Sequence, residues 1–234
     1  MNIIITGASK GIGFEIVRLL AADKEHKILA ISRSLRGLEQ LKSICKKENL
    51  PGKVMISPFD LTRNDVDSIL IPEIKSVLGH VDILVNNAGL MITKPFINLN
   101  GEDFDKIFSA NVKSIFLLIR SLLGSFSKNA HIVNIGSMGG YQGSQKFPGL
   151  SLYSASKGAL AILTECLAEE LKDYSVKVNC LALGAAQTEM LSQAFPGYQA
   201  PLTAAQLASF IAEFAIRGHH YFNGKILPVS LSTP

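Results

Sequence analysis

Thr6-Gly7-Ala8-Ser9-Lys10-Gly11-Ile12-Gly13 follows an apolar run and leads into a helical pattern. Glycines at this spacing let a backbone turn sharply and approach a pyrophosphate, whose charge then meets a helix N-terminus. The order is GxxxGxG, which differs from the more common GxGxxG fingerprint. Its chemistry is dinucleotide binding. Tyr153 and Lys157 form a second chemical pair: four residues apart in a helical stretch, they share one face. An ammonium beside a phenol stabilises the phenolate and lowers its pKa from about 10 towards neutrality. Such a tyrosine serves as a general acid or base. The second apolar run ends in Ser32-Arg33-Ser34, with no acid until Glu39. A carboxylate there would accept from the adenosine ribose hydroxyls and repel a 2′-phosphate. Arg33 attracts that phosphate instead, and Lys10 approaches it from the glycine loop, so the expected cofactor is NADPH in preference to NADH.

The remaining conspicuous residues read as structural. His219-His220 lack a nearby Cys, Asp or Glu ligand pattern, and His26, His80 and His131 stand apart in the sequence, so no metal is expected. Phe210, Ile211, Phe214 and Ala215 read as core or subunit interface. Glu169-Glu170 read as a solvated helix face.

These residues must be positioned by an alternation of short apolar runs and longer helical patterns. Strands are predicted at Asn2–Thr6, Lys27–Ser32, Lys53–Pro58, Val81–Asn86, 131–136, Lys177–Leu183 and 225–228. Most are continuous Val/Ile/Leu runs, as expected for strands covered on both faces. Helical periodicity fills 12–22, 35–47, 64–78, 101–126, 151–173 and 203–216. Strand, helix and strand repeated in this way predict one doubly wound α/β domain over residues 1–234, with a parallel sheet of about seven strands and helices on both faces. Substrate loops are expected at 90–97, 138–152 and 184–200. Their walls are largely apolar, with Tyr141, Phe147 and Phe195, which suits a small or medium substrate with an apolar body.

Composition excludes several classes. Apolar residues make up 47% and charged residues only 18% of the 234 residues, which argues against disorder. The longest apolar candidate for a membrane span, 115–123, is interrupted by Arg120 and falls short of about 18 residues. The net charge is +4, but the basic residues are scattered, so no nucleic-acid footprint is expected. Cys45, Cys166 and Cys180 are far apart and odd in number, as in a reduced compartment. The start runs into Ile3-Ile4-Ile5 without a basic leader, so a cytoplasmic location is expected.

Six motifs in order give the chain a resemblance to the classical short-chain dehydrogenase/reductase family. They are the glycine loop, Asp60-Leu61, Asn86-Asn87-Ala88-Gly89, Ile132-Val133-Asn134-Ile135-Gly136-Ser137, Tyr153-Ser154-Ala155-Ser156-Lys157, and Gly184 to Thr188. Asn111 lies on the long helix after the NNAG element. The resemblance implies a Rossmann fold and a Ser137, Tyr153, Lys157 and Asn111 catalytic set. In it, Ser137 hydrogen-bonds the substrate oxygen, Lys157 also holds the nicotinamide ribose, and Asn111 helps hold a water relay. It further implies cofactor contacts from Gly7, Ser9, Lys10, Gly11, Ile12, Gly13, Ser32, Arg33, Asp60, Leu61, Asn87, Ala88, Gly89, Tyr153, Lys157, Gly184 and Thr188.

Two departures stand out. Leu183 occupies the place of a usual proline, and 137–153 is longer than usual through Gln145-Lys146-Phe147-Pro148. The resemblance also implies a homodimer or homotetramer, and the surplus of apolar residues at 112–123 and 207–216 agrees. The expected function is NADPH-dependent carbonyl reduction or its reverse. A fatty-acid-type 3-oxoacyl-thioester reductase, a silent dinucleotide sensor and a sugar epimerase are the alternatives. A sensor could lose Tyr153 or Lys157 without penalty, and both are present. The glycine spacing and the lack of a large C-terminal domain disfavour the epimerase.

Overall fold

A computed structural model describes residues 1–231. Seven parallel strands form one sheet in the order β3-β2-β1-β4-β5-β6-β9. They are β1 Asn2–Thr6, β2 Lys27–Ser32, β3 Lys53–Pro58, β4 Val81–Asn86, β5 Phe126–Ile135, β6 Lys177–Leu183 and β9 Ile226–Val229. β1 sits between β2 and β4, with Ile3 in register with Ile28 on one side and Ile83 on the other. The strand order reverses between β1 and β4, which is where open α/β sheets bind ligands.

Side chains alternate across a strand, so β1 feeds two cores. Ile3 and Ile5 join one core with Ile16, Val17, Leu38, Leu41, Leu207 and Ile211. These come from α1 (Gly11–Leu20), α2 (Leu35–Lys47) and α8 (Ala204–Arg217). Ile4 joins the opposite core with Ile74, Leu118, Leu122 and Leu160, supplied by α3 (Ile71–Leu78), α5 (Ser114–Leu122) and α6 (Ser151–Glu170). Each fully buried Ile or Leu contributes about 1.5–3 kcal/mol. Burial on both faces explains the unbroken apolar strands. Helix starts follow the local chemistry. The Ser34 Oγ accepts from Gly37 N at 3.2 Å, and Asn100 forms a capping box with Asp103 at the start of α4 (Gly101–Phe108).

The structure corrects several boundaries. The pattern at 64–78 begins with a π-turn at Val66–Leu70. The one at 101–126 is broken by a π-turn at Ser109–Lys113 between α4 and α5. β5 starts five residues before the expected 131, because Phe126 pairs with Val81 across an irregularity and the Ser127 hydroxyl bonds Asp82 Oδ1 at 2.5 Å. The loop at 184–200 contains β7 (Ala186–Gln187) and α7 (Glu189–Ala194), and β7 pairs with β8 (Leu202–Thr203). The helical stretch Gly101–Ser125 is long and apolar enough, by length and composition, to cross a membrane. Its Ile107, Ile115, Leu118, Ile119 and Leu122 are buried in this fold, while Phe104 and Phe116 are exposed.

The histidines do not all stand apart. His131 is fully buried, and its ring lies 5.4 Å from that of His219, whose ring is tilted against that of His220 at 4.0 Å. The sequence hides this because β5 and the turn after α8 are far apart along the chain. The Asn179 amide donates to His131 Nε2 at 3.1 Å, so Nδ1 carries the proton given to Ala215 O at 2.9 Å. The ring is held neutral.

Candidate functional site

The glycine loop lies at the C-terminal ends of β1 and β4, and each glycine has a reason. Gly7 has φ of +67°, and a Cβ there would lie 2.8 Å from Ala88 Cα. A Cβ on Gly13 would lie 2.4 Å from Asn87 Nδ2 and 2.6 Å from Gly7 O. Asn87 locks this turn, donating from Nδ2 to Thr6 O at 3.0 Å and Gly7 O at 3.2 Å. Thr6 Oγ1 in return accepts from the backbone N–H groups of Asn87 and Ala88, each at 3.0 Å. The Ser9 and Ser32 hydroxyls bond at 2.8 Å, tying the loop to the end of β2. This cradle, open only to residues without side chains, opens α1 and fits a dinucleotide pyrophosphate.

The two basic residues expected at the ribose have other neighbours. Lys10 Nζ is 3.9 Å from Glu189 Oε2, an exposed pair of little energetic weight. Arg33 acts on Asp60, so an acid absent from the local sequence is supplied by the end of β3. Burial works to raise the Asp60 carboxyl, but the Thr62 N–H and hydroxyl, then Arg33 and Arg63, outweigh it and hold it below the usual range. Leu61 and Ile12 pack into the core and hold the two turns in place.

Ser137, Tyr153, Lys157 and Asn111 come together beside this loop. Ser137 Oγ accepts from Gly139 N at 3.1 Å and lies beside the Tyr153 phenol, where it works to lower the phenol pKa. Lys157 is buried, and its Nζ donates to Ile135 O at 2.7 Å and sits 5.9 Å from the Tyr153 ring centroid. Burial pushes its pKa down to about 8, so the ammonium is still largely charged at neutral pH. The expectation that Lys157 lowers the Tyr153 pKa is corrected. Burial raises the phenol, and the neighbouring Ser137 hydroxyl only partly offsets it. At this distance, with the ammonium turned to a carbonyl, desolvation wins. Tyr153 therefore holds its proton at neutral pH.

Asn111, on the π-turn, is fully buried. Its Nδ2 donates to Leu90 O and to Ser156 Oγ, both at 2.9 Å, and its Oδ1 accepts from Leu90 N at 2.7 Å. The side chain is thus committed to holding the segment after the NNAG turn. Gly89 stands against it, where a Cβ would lie 3.3 Å from Asn111 Oδ1 and 3.5 Å from Lys157 Nζ. Sequence reasoning missed Ser156, although it sits inside the quoted YxxxK element.

One cleft opens at the glycine loop and another at the second substrate loop. The first, of about 490 Å³, lies between Gly11 and the segment Gln187, Thr188, Glu189 and Ser192. Thr188 caps α7 by accepting from Leu191 N. Gly184 is close-packed, since a Cβ would meet Ser230 Oγ at 2.4 Å. Leu183 in place of proline extends β6, pairing with Val229. The other cleft, about 410 Å³, is lined by Tyr141 and Phe147 as expected, but also by Gln142, Lys146, Ser151 and Ser154. Its exposed lining is mainly apolar, as the sequence implied, with hydroxyls contributed by the first turn of α6. Lys94 N donates to Gly149 O at 3.0 Å, which zips the first two substrate loops together.

Known proteins share this architecture. The family described as short chain dehydrogenase matches residues 1–199. The chain is 34% identical over 185 residues to the ketoacyl reductase HetN of Nostoc sp., a match covering 78% of this chain and 62% of that one. It is 33% identical to the 3-oxoacyl-[acyl-carrier-protein] reductase FabG of Thermotoga maritima, covering 80% and 74%. Among solved structures, a short-chain dehydrogenase/reductase from Serratia marcescens superposes with a TM-score of 0.84 at 27% identity, covering 97% and 95%. This chain belongs to the short-chain dehydrogenase family of NAD(P)-dependent oxidoreductases.

Proposed function

We propose that this protein is an NADPH-dependent carbonyl reductase. The observation that carries the reading is the placement of Tyr153 beside Ser137, with the Lys157 ammonium 5.9 Å from the Tyr153 ring. The bound dinucleotide would supply the hydride. Tyr153 delivers its phenolic proton to the carbonyl oxygen, and Ser137 donates to that oxygen as charge develops on it. Lys157 stabilises the phenolate left behind, which solvent then reprotonates. A high phenol pKa favours reduction over alcohol oxidation at neutral pH. The names of similar proteins, two ketoacyl reductases and the carbonyl reductase [NADPH] 2 of Sus scrofa, support carbonyl compounds, 3-oxoacyl thioesters included. The test is NADPH oxidation against ketones and 3-oxoacyl thioesters. Cofactor binding without any turnover would overturn the reading in favour of a dinucleotide sensor.

Preference for NADPH rests on Arg33 beside the end of β2. A charge-assisted bond to the 2′-phosphate contributes about 1.5–3 kcal/mol before solvent screening. One such bond gives a kcat/KM preference of about tenfold or more over NADH. Arg33→Asp should reverse it, and unchanged preference in the variant would refute the assignment. Asp60 shares Arg33 with the phosphate, so the net gain stays at the low end.

The protein is also proposed to be a homo-oligomer in the cytoplasm. Phe104, Phe116 and Ile162 are exposed on α4, α5 and α6, more apolar surface than one subunit leaves open by chance. Cys45, Cys166 and Cys180 are free thiols, which suits a reducing compartment. Light scattering should give a particle at least twice 25.2 kDa. A single-chain mass at micromolar concentration would refute the assembly.

A further inference from the structure

We propose that Ser156 is a positioning residue that holds Tyr153 in register with Asn111; the proposal rests on the reductase reading above. Ser156 is fully buried and lies one residue before Lys157. Its hydroxyl donates to the Tyr153 carbonyl at 2.7 Å and accepts from Asn111 Nδ2 at 2.9 Å. The donor order is therefore fixed: the Asn111 amide donates to the Ser156 hydroxyl, which donates to the Tyr153 carbonyl.

This chain of bonds joins three separate segments. Asn111 lies on the π-turn between α4 and α5, and the same side chain bonds both polar backbone groups of Leu90. Leu90 follows Gly89, whose missing Cβ leaves room for Asn111 Oδ1 and Lys157 Nζ. Ser156 is thus the link between the NNAG turn and the first turns of α6, where Tyr153 sits. That end of α6 is otherwise held by the Lys157 bond to Ile135 O and by close packing on Gly140. Its N-cap residue, Leu150, offers no side-chain hydrogen bond. Deleting the hydroxyl would leave an Asn111 N–H without an acceptor in a buried site, and the amide would turn to find one. Leu90 and Tyr153 would then lose their common reference. Displacement of a reacting group by a fraction of an ångström is enough to slow a reaction, and 1 Å can cost ~100-fold.

The experiment compares the full-length wild type with Ser156→Ala, Ser156→Cys and Asn111→Ala. In Ser156→Ala, kcat should fall between about 5-fold and about 100-fold while KM for NADPH stays within about twofold. The solvent deuterium isotope effect on kcat should rise, because delivery of the Tyr153 proton has become slower than hydride transfer. Ser156→Cys, which keeps a weak donor in a similar volume, should fall between Ser156→Ala and wild type. In the Asn111→Ala background, Ser156→Ala should cost less than about twofold more, since the residues act through one bond. Exchange of the Leu90 amide, read by mass spectrometry or NMR, should accelerate at least about tenfold in Ser156→Ala. Unchanged kcat with unchanged Leu90 exchange would overturn the proposal, and so would full additivity with Asn111→Ala. Should the wild type turn over no carbonyl compound, the reductase reading falls, and Leu90 exchange alone decides whether Ser156 positions Asn111.

Discussion

Tyr153→Phe lowers kcat by at least ~10²-fold, the lower range for loss of a positioned general acid. The ring stays, so the contacts that orient it persist and only the proton is removed. Affinity for the dinucleotide should change little, because the cradle at Thr6, Gly7, Gly13 and Asn87 does not depend on the phenol. Steady-state kinetics with cofactor binding by fluorescence titration measure both quantities. Activity within a few-fold of wild type would refute the role given to Tyr153. The wild-type rate of reduction should also hold across neutral pH and decline only on the alkaline side. Burial raises the phenol above its ordinary range, so the acid form persists where a general acid of lower pKa would be lost.

The second large effect lies at the opposite end of the sheet. His131 is driven down to about 4 by burial, with the His219 and His220 charges adding to the effect and the Ala215 carbonyl opposing it. The unfolded chain restores an ordinary pKa of about 6.5. A histidine with a depressed folded pKa binds fewer protons folded than unfolded, so stability rises with pH between about 4 and about 6.5. Its contribution is complete near pH 7 and is lost as the solution is acidified through that window. The loss amounts to about 3 kcal/mol at full protonation. His219 is lowered too, by burial and by His220 and Lys177, so the cluster meets acid with like charges around it. Urea unfolding at pH 7 and pH 4.5 measures the effect. His131→Gln, with an amide to replace the ring, should lose markedly less stability over that interval. Equal losses in the two proteins would refute the assignment.

The sheet was legible in the sequence because every central strand is buried on both faces, leaving unbroken apolar runs such as Ile3-Ile4-Ile5. Helix starts were legible where a Ser, Thr or Asn caps them. The π-turns at Val66–Leu70 and Ser109–Lys113 were not. One extra residue in a turn leaves the apolar period almost intact, so nothing local marks it. The glycine loop and the Tyr153/Lys157 pair could be found because their spacing is set within one element. What escaped was set between elements: the Ser156 link to Asn111, the Asp60 charge beside Arg33, and the approach of His131 to His219. The direction of the Tyr153 shift escaped for the same reason. Spacing along a helix gives proximity, but it does not give the water removed by neighbouring loops, nor the Ile135 carbonyl that engages Lys157.

The Thr6–Asn87 lock has a consequence for how the chain folds and survives. Its bonds join residues about eighty positions apart, across the crossover that seats β4 beside β1. Contacts of such sequence separation form slowly, since a long loop must close before they reward it. The cradle therefore exists only in the completed sheet and is absent from any partly folded state lacking the β1–β4 pairing. A dinucleotide binding there binds the native state alone. By mass action, cofactor at a hundred times its Kd adds about 2.7 kcal/mol to the unfolding free energy. The cellular pool of cofactor thus sets the lifetime of this protein as well as its rate.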